Sequence, residues 1–187
     1  MQGYDAKDLG RSFRTVRKNT IQIAEEIPED KYDFRPSEGS KSVAETLRHI
    51  AVATSWPIEA HGQRLTALTF DMFGKVHARM AQAEAALKTK NDIVKALQTD
   101  GEEFAAFVEG LPDDVLAETV SLPPQANTPP KTRFEMLLST KEHEMHHRAQ
   151  LMVVERMIGI VPHLTRAMQE RMAAMQQQQQ TVGAHSA

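Results

Sequence analysis

The chain has 187 residues, 41% of them hydrophobic and 25% charged, with a formal net charge of −3. That is enough chain for one domain with its own core, and the charge offers no general electrostatic footprint for nucleic acid. Cysteine is absent, which excludes disulfides, thiolate metal sites, iron–sulfur clusters and a cysteine nucleophile.

The opening stretch, MQGYDAKDLGR, lacks the apolar core of a secretion signal. No run approaches the roughly 20 apolar residues of a membrane span. The expectation is a cytoplasmic protein that takes neither nucleic acid nor membrane as partner.

Helical patterns dominate. From Asp8 to Ile27 the residues Leu9, Phe13, Val16, Thr20, Ile23 and Ile27 recur at steps of three and four, which predicts an amphipathic helix with one buried stripe. Pro28 ends it, and a turn-rich connection, EDKYDFRPSEGSK, follows. Ser42 and Glu45 then form an S-x-x-E capping pattern. The second helix starts there, with Val43, Leu47 and Ile50 on its apolar face, and Pro57 disturbs or ends it.

Residues 57–88 are harder to assign. LTALTFDMFG reads equally as helix or loop, Gly74 breaks it, and HARMAQAEAALK suits a short helix. A third helix spans about Asn91 to Glu109, with Gly101 as a weak point in its middle. A connection of about 20 residues follows, too rich in proline (Pro123, Pro124, Pro129, Pro130) for regular helix. Within it only ETVSL hints at a strand. A fourth helix runs from near Thr132 to Ile158, with Gly159 as its stop. LTRAMQERMAAM makes a last helical segment before five glutamines, Gln176 to Gln180.

The fold expected is all-α, an antiparallel four-helix bundle with extra short helical segments. It is one domain over residues 1–175, followed by a Gln-rich tail, 176–187, without regular structure. Bundles of this kind build metal sites from inward-facing side chains.

Eight histidines are present, and three crowd into HEMHH at 143–147. At about 100° per residue, His143 and His147 fall within about 40° of each other on the fourth helix. Met136, Leu151, Val154 and Ile158 share that side, so both histidines are placed in the apolar stripe. Glu142 and Glu144 face away from it and are expected to be solvated. Two imidazoles one turn apart can share one metal ion; the competing reading is a pair of packed core side chains. His49, on the second helix at the border of its apolar face, is a candidate third ligand. Spacing alone does not bring it to the other two. The residues between the pair do not make H-E-x-x-H, so a zincin protease is not supported. His61 is expected at the surface, and Trp56 serves equally as a pocket wall or a core residue.

Three segments carry a resemblance to the DinB/YfiT-like superfamily of bacterial four-helix-bundle proteins. They are FRPSEGSKSVAETLRHIAVATSW at 34–56, DIVKALQTDGEEFAAFVEGLPDD at 92–114 and TRFEMLLSTKEHEMHHRAQLMVVERMIGIVP at 132–162. The last closely resembles the family's H-x-x-x-H-R-x-Q-L helix, with Ala149 where a glycine is frequent. The resemblance implies a metal held by His49, His143 and His147, with His146 not ligating.

An all-nitrogen donor set suits one divalent transition metal, zinc or nickel first, with iron, cobalt, copper or manganese as alternatives. The resemblance further implies a metal-dependent enzyme of the thiol S-transferase type. Such an enzyme acts on small electrophiles with a low-molecular-weight thiol such as bacillithiol or mycothiol, in stress or detoxification. The alternatives are a metal-dependent hydrolase using metal-bound water, a non-enzymatic metal-stabilised interaction module, and a metal-free bundle. No catalytic residue is assigned by spacing. Family members are often homodimers, and Met152, Met168, Met172 and Met175 either supply such a surface or pack within the monomer.

Overall fold

The computed structural model describes residues 3–184. Helix α1 spans Ala6–Glu26 and starts at Asp5, whose carboxylate accepts from the Asp8 N–H while Asp8 caps back. Helix α2, Val43–Val52, starts at the predicted Ser42/Glu45 capping box. Helix α3, Ser55–Gly62, follows at once and carries Pro57 in its first turn. The break falls upstream of the proline because its ring excludes a helical carbonyl four residues earlier, at Ala53.

Helix α4, Phe70–Ala86, is capped by the Thr69 hydroxyl and runs straight through Gly74. The expected break there does not occur. An interior glycine costs only about 1 kcal/mol, and good helix formers surround it. Helix α5, Lys90–Glu109, begins at a Thr89/Asp92 capping box. Helix α7, Arg133–Met157, is capped by Thr132 and stops before Gly159, which takes a positive φ of 85°. Helix α6, Asp113–Leu116, is a single turn in the long connection. Strands Thr119–Val120 and Lys131–Thr132 pair antiparallel and close the proline-rich loop. Helix α8, His163–Ala184, passes through the glutamine run as regular helix, where composition predicts a tail without structure.

Helices α1, α2, α5 and α7 form the bundle, each of α1 and α2 packing on both α5 and α7. Side-chain pairings give the directions. Arg14 of α1 reaches Glu102 and Glu109 of α5, while Arg17 lies against Gly101, so α1 and α5 are antiparallel. Thr46 and Val43 of α2 share a groove with Leu151 and Val154 of α7, again an antiparallel pair. Ser12 with Lys141 and Arg17 with Glu144 show α1 and α7 running the same way. The bundle is therefore two antiparallel pairs set side by side. Helix α4 makes this possible: it packs back along α2 and α3 through His49–Glu84 and Trp56–Phe73 and returns the chain to the end where α5 starts.

The core has two main apolar layers. Ile23, Ile27, Leu47, Ile50, Leu97 and Leu151 fill one, and Leu9, Phe13, Phe104, Val108 and Leu137 the other. Between them lies a buried ion pair. The Arg17 Nε donates to both Glu144 oxygens at 2.9 and 3.0 Å, and its other nitrogens donate to the carbonyls of Leu97 and Ile50.

This corrects the wheel assignment for α7. Glu144 is 2% exposed and Glu155 0%, so the buried face is centred nearer Glu144 than His143. A carboxylate can sit there because Arg17, from another helix, supplies its partner. His61 is likewise not at the surface: it is 2% exposed, and its Nδ1 accepts from Arg133 at 3.1 Å. Burial first, and then the Arg133 charge, push its pKa down to about 4.

Trp56 packs on Phe73 at 5.2 Å between ring centres, in a small third apolar cluster. Met152 packs against the core, whereas Met168, Met172 and Met175 of α8 are exposed. Among the described residues, no helix is long and apolar enough to cross a membrane.

Candidate metal centre

Rotation of α7's buried face toward Glu144 puts His143 and His147 at the edge of the core, facing α2. His49 faces them from α2, one turn beyond Thr46. The Nε2 atoms of His49 and His143 are 3.1 Å apart, and those of His147 and His143 also 3.1 Å. One ligand atom from each of the three rings lies within 4.8 Å of the others. Tertiary packing thus unites the three histidines that spacing alone leaves apart.

Hydrogen bonding behind the rings fixes which nitrogen turns toward the other two histidines. His49 Nδ1 is 3.1 Å from the Glu84 carboxylate, and His147 Nδ1 is 2.8 Å from Gln150 Oε1. Both partners accept, so each Nδ1 carries a proton, and in the neutral ring each Nε2 then presents a bare lone pair. Gln150 is held in that orientation because its amide nitrogen donates to His146 Nε2 at 3.2 Å. His143 Nε2 faces both lone pairs and has at most one proton to offer. At least one nitrogen pair is therefore left in a lone-pair contact.

A cation between the three rings relieves this arrangement. Two ligands each about 2.0–2.1 Å from a zinc-sized ion, at right to tetrahedral angles, sit roughly 2.8–3.4 Å apart. The observed 3.1 Å spacings fit. Metal binding requires neutral rings, and burial favours that form at two of the three. Burial, followed by the neighbouring His147, His49 and His146, pushes His143 down to about 4. Burial also lowers His147, against the opposing effect of its bond to Gln150.

Two contributors escaped the sequence reading. Gln150 was within reach of it, three residues past His147 on the same helix. Glu84 was not, because only the return of α4 along α2 brings it to His49. His146 stands outside the triad, with its ring 5.0 Å from that of His147. His163 is buried at the start of α8, its Nε2 donating to Asn19. His185 lies outside the described residues.

A largely apolar groove of about 450 Å³ adjoins the triad at His147 and continues along the α2/α7 seam. Val43, Thr46, Leu151, Val153 and Val154 line it, with Pro36, Ser40, Lys41 and Gln150 at its rim.

Known proteins share the fold. The chain is 27% identical over 151 residues to the uncharacterized protein YjoA of Bacillus subtilis strain 168, covering 79% of this chain and 86% of YjoA. The crystal structure of that DinB-like protein superposes with a TM-score of 0.59 at 24% identity, over 81% of this chain and 91% of YjoA. YfiT of Bacillus subtilis, described as a probable metal-dependent hydrolase with an unusual four-helix bundle topology, superposes with a TM-score of 0.66 at 16% identity. That match covers 86% of this chain and 91% of YfiT. The family model of the DinB superfamily matches residues 12–151, and the chain belongs to that superfamily.

Proposed function

We propose that this protein is a metal-dependent enzyme whose His49, His143 and His147 hold one divalent transition metal, zinc or nickel first. The observation that carries the reading is the convergence of three Nε2 atoms, those of His49 and His147 each 3.1 Å from that of His143. Such an ion, when bound, supplies Lewis acidity toward a thiol or a water.

The chain's own residues do the rest. Glu84 and Gln150 hold the His49 and His147 rings in the tautomer that directs Nε2 inward. The groove beside His147 positions a small substrate.

The reaction favoured is thiol S-transfer to a small electrophile. The Glu84 carboxylate sits behind His49, on its Nδ1, and not on the side of the ring that faces the other two histidines, where a base for water would have to stand. A thiol ionises far more readily and needs no such base. The second reading is metal-dependent hydrolysis, favoured by the description of YfiT.

Elemental mass spectrometry on untagged protein tests the metal reading. About one metal per chain is expected in the wild type and a near-total loss in His143→Ala. No metal after incubation with zinc or nickel overturns it. Turnover of 1-chloro-2,4-dinitrobenzene by the metal-loaded protein, dependent on an added thiol such as bacillithiol, supports transfer. Thiol-independent hydrolysis of an ester or amide library supports the hydrolase.

A further inference from the structure

The groove along the α2/α7 seam has one charged side chain on its lining, Lys41, and no carboxylate. Its floor is apolar and buried: Val43, Leu151 and Val154 are each 5% exposed or less. Lys41, in contrast, is exposed and makes no hydrogen bond or ion pair among the described residues. The nearby acid, Glu45, feels the Lys41 charge only across space, because its oxygens are held by Arg35 in a two-pronged pair at 2.6 and 2.7 Å and by the Ser42 N–H. The groove therefore combines an apolar trough with a positive charge at its rim that has no hydrogen-bond or ion-pair partner among the described residues, and it ends at a triad histidine. A trough of this size and character fits the apolar body of a small molecule, and the free ammonium selects charge.

We infer that the groove binds an amphipathic carboxylate, its apolar body along Val43, Leu151 and Val154 and its anionic group on Lys41. Lys41 is then a specificity residue that acts on binding. Calling the occupant a substrate rests on the metal reading above; the binding itself does not.

The probes are octanoate and its uncharged counterpart octan-1-ol, titrated into full-length protein and followed by calorimetry and by amide chemical shifts. Octanoate is expected to bind with shifts confined to the groove: Lys41 and its neighbours before α2, α2 itself and α7. Lys41→Gln should weaken it about fivefold or more, a rim charge pair being worth about 1 kcal/mol, and leave octan-1-ol within about twofold. Val153→Glu places a negative charge on the lining at a site 55% exposed in the wild type, where folding tolerates it, and should suppress octanoate more than octan-1-ol. Circular dichroism on each variant confirms the fold.

Equal affinity for the two probes, or no effect of Lys41→Gln, overturns the selection by charge. No binding of either probe at millimolar concentration overturns the groove as a ligand site. Zinc content measured on the same samples separates the two readings. Zinc without octanoate leaves the metal centre standing and removes this inference; octanoate without zinc does the reverse.

Discussion

At the residue scale, the triad depends on side chains that never face the ion's position. Glu84 holds His49 by its Nδ1 and Gln150 holds His147; each fixes a tautomer and a ring orientation. Removing such a partner typically weakens metal affinity 10–100-fold without removing the site. Glu84→Ala is therefore expected to keep a stoichiometry near one while its zinc Kd rises by roughly that factor, measured by competition with a chromophoric chelator. An unchanged Kd would show that the carboxylate has no part in the centre. His49, His143 and His147 were legible as residue types at suggestive positions. Glu84 was not, because it is 35 residues from its partner in a segment whose helical pattern is weak.

At the element scale, Gly101 shows how a tertiary contact overrides a local rule. In a helix interior alanine is worth about 1 kcal/mol more than glycine. Here a Cβ at position 101 would lie 2.6 Å from Arg17 Cγ, near the root of that side chain where it has little room to move. The Arg17–Glu144 pair crosses the bundle at this level, so displacing Arg17 strains a buried ion pair. Gly101→Ala is expected to destabilise the protein by about 1–3 kcal/mol, read as a lower urea midpoint, against the stabilisation that propensity alone predicts. A stabilised variant would mean that Arg17 can move aside freely. The same layer explains the misplaced face of α7. A helical wheel assigns charge to solvent, and it has no access to an arginine 127 residues away.

At the scale of the whole molecule, the junction of α1, α7 and α8 holds a further buried group that responds to pH. Glu155 is fully buried, and neither carboxylate oxygen has a hydrogen-bond partner. Burial first, and then the Glu26 charge on α1, push it up to about 7; Arg166 of α8 and Arg156 oppose the shift. The unfolded chain loses this proton near 4.5, so folding takes up a proton between those values. The contribution of this carboxyl to stability is full below pH 4.5 and is lost as pH rises through about 7. His61 acts in the other direction: its stabilising contribution is present above pH 6.5 and is lost as pH falls toward 4. Glu155→Gln, neutral at every pH, is expected to raise Tm at pH 8 by roughly 2–6 °C and to change it by less than about 1 °C at pH 4.5. Equal shifts at both pH values would locate the effect in packing and not in the proton.

The sequence by itself determined the helices that carry their own start signals and periodicity: α1, α2 with its Ser42/Glu45 box, α5 and α7. It also determined the i, i+4 pair His143/His147, because both depend only on neighbours within a turn. The tertiary structure decided what depends on distant chain. It set α1 parallel to α7, buried Glu144 by bringing Arg17 to it, joined His49 to the pair, and carried α4 back so that Glu84 reaches His49. Local periodicity reports which way a side chain points along its own helix. Which side chain meets it is settled only when separate helices pack, since the energy of a buried charge or a shared ion lies in the partner and not in the segment.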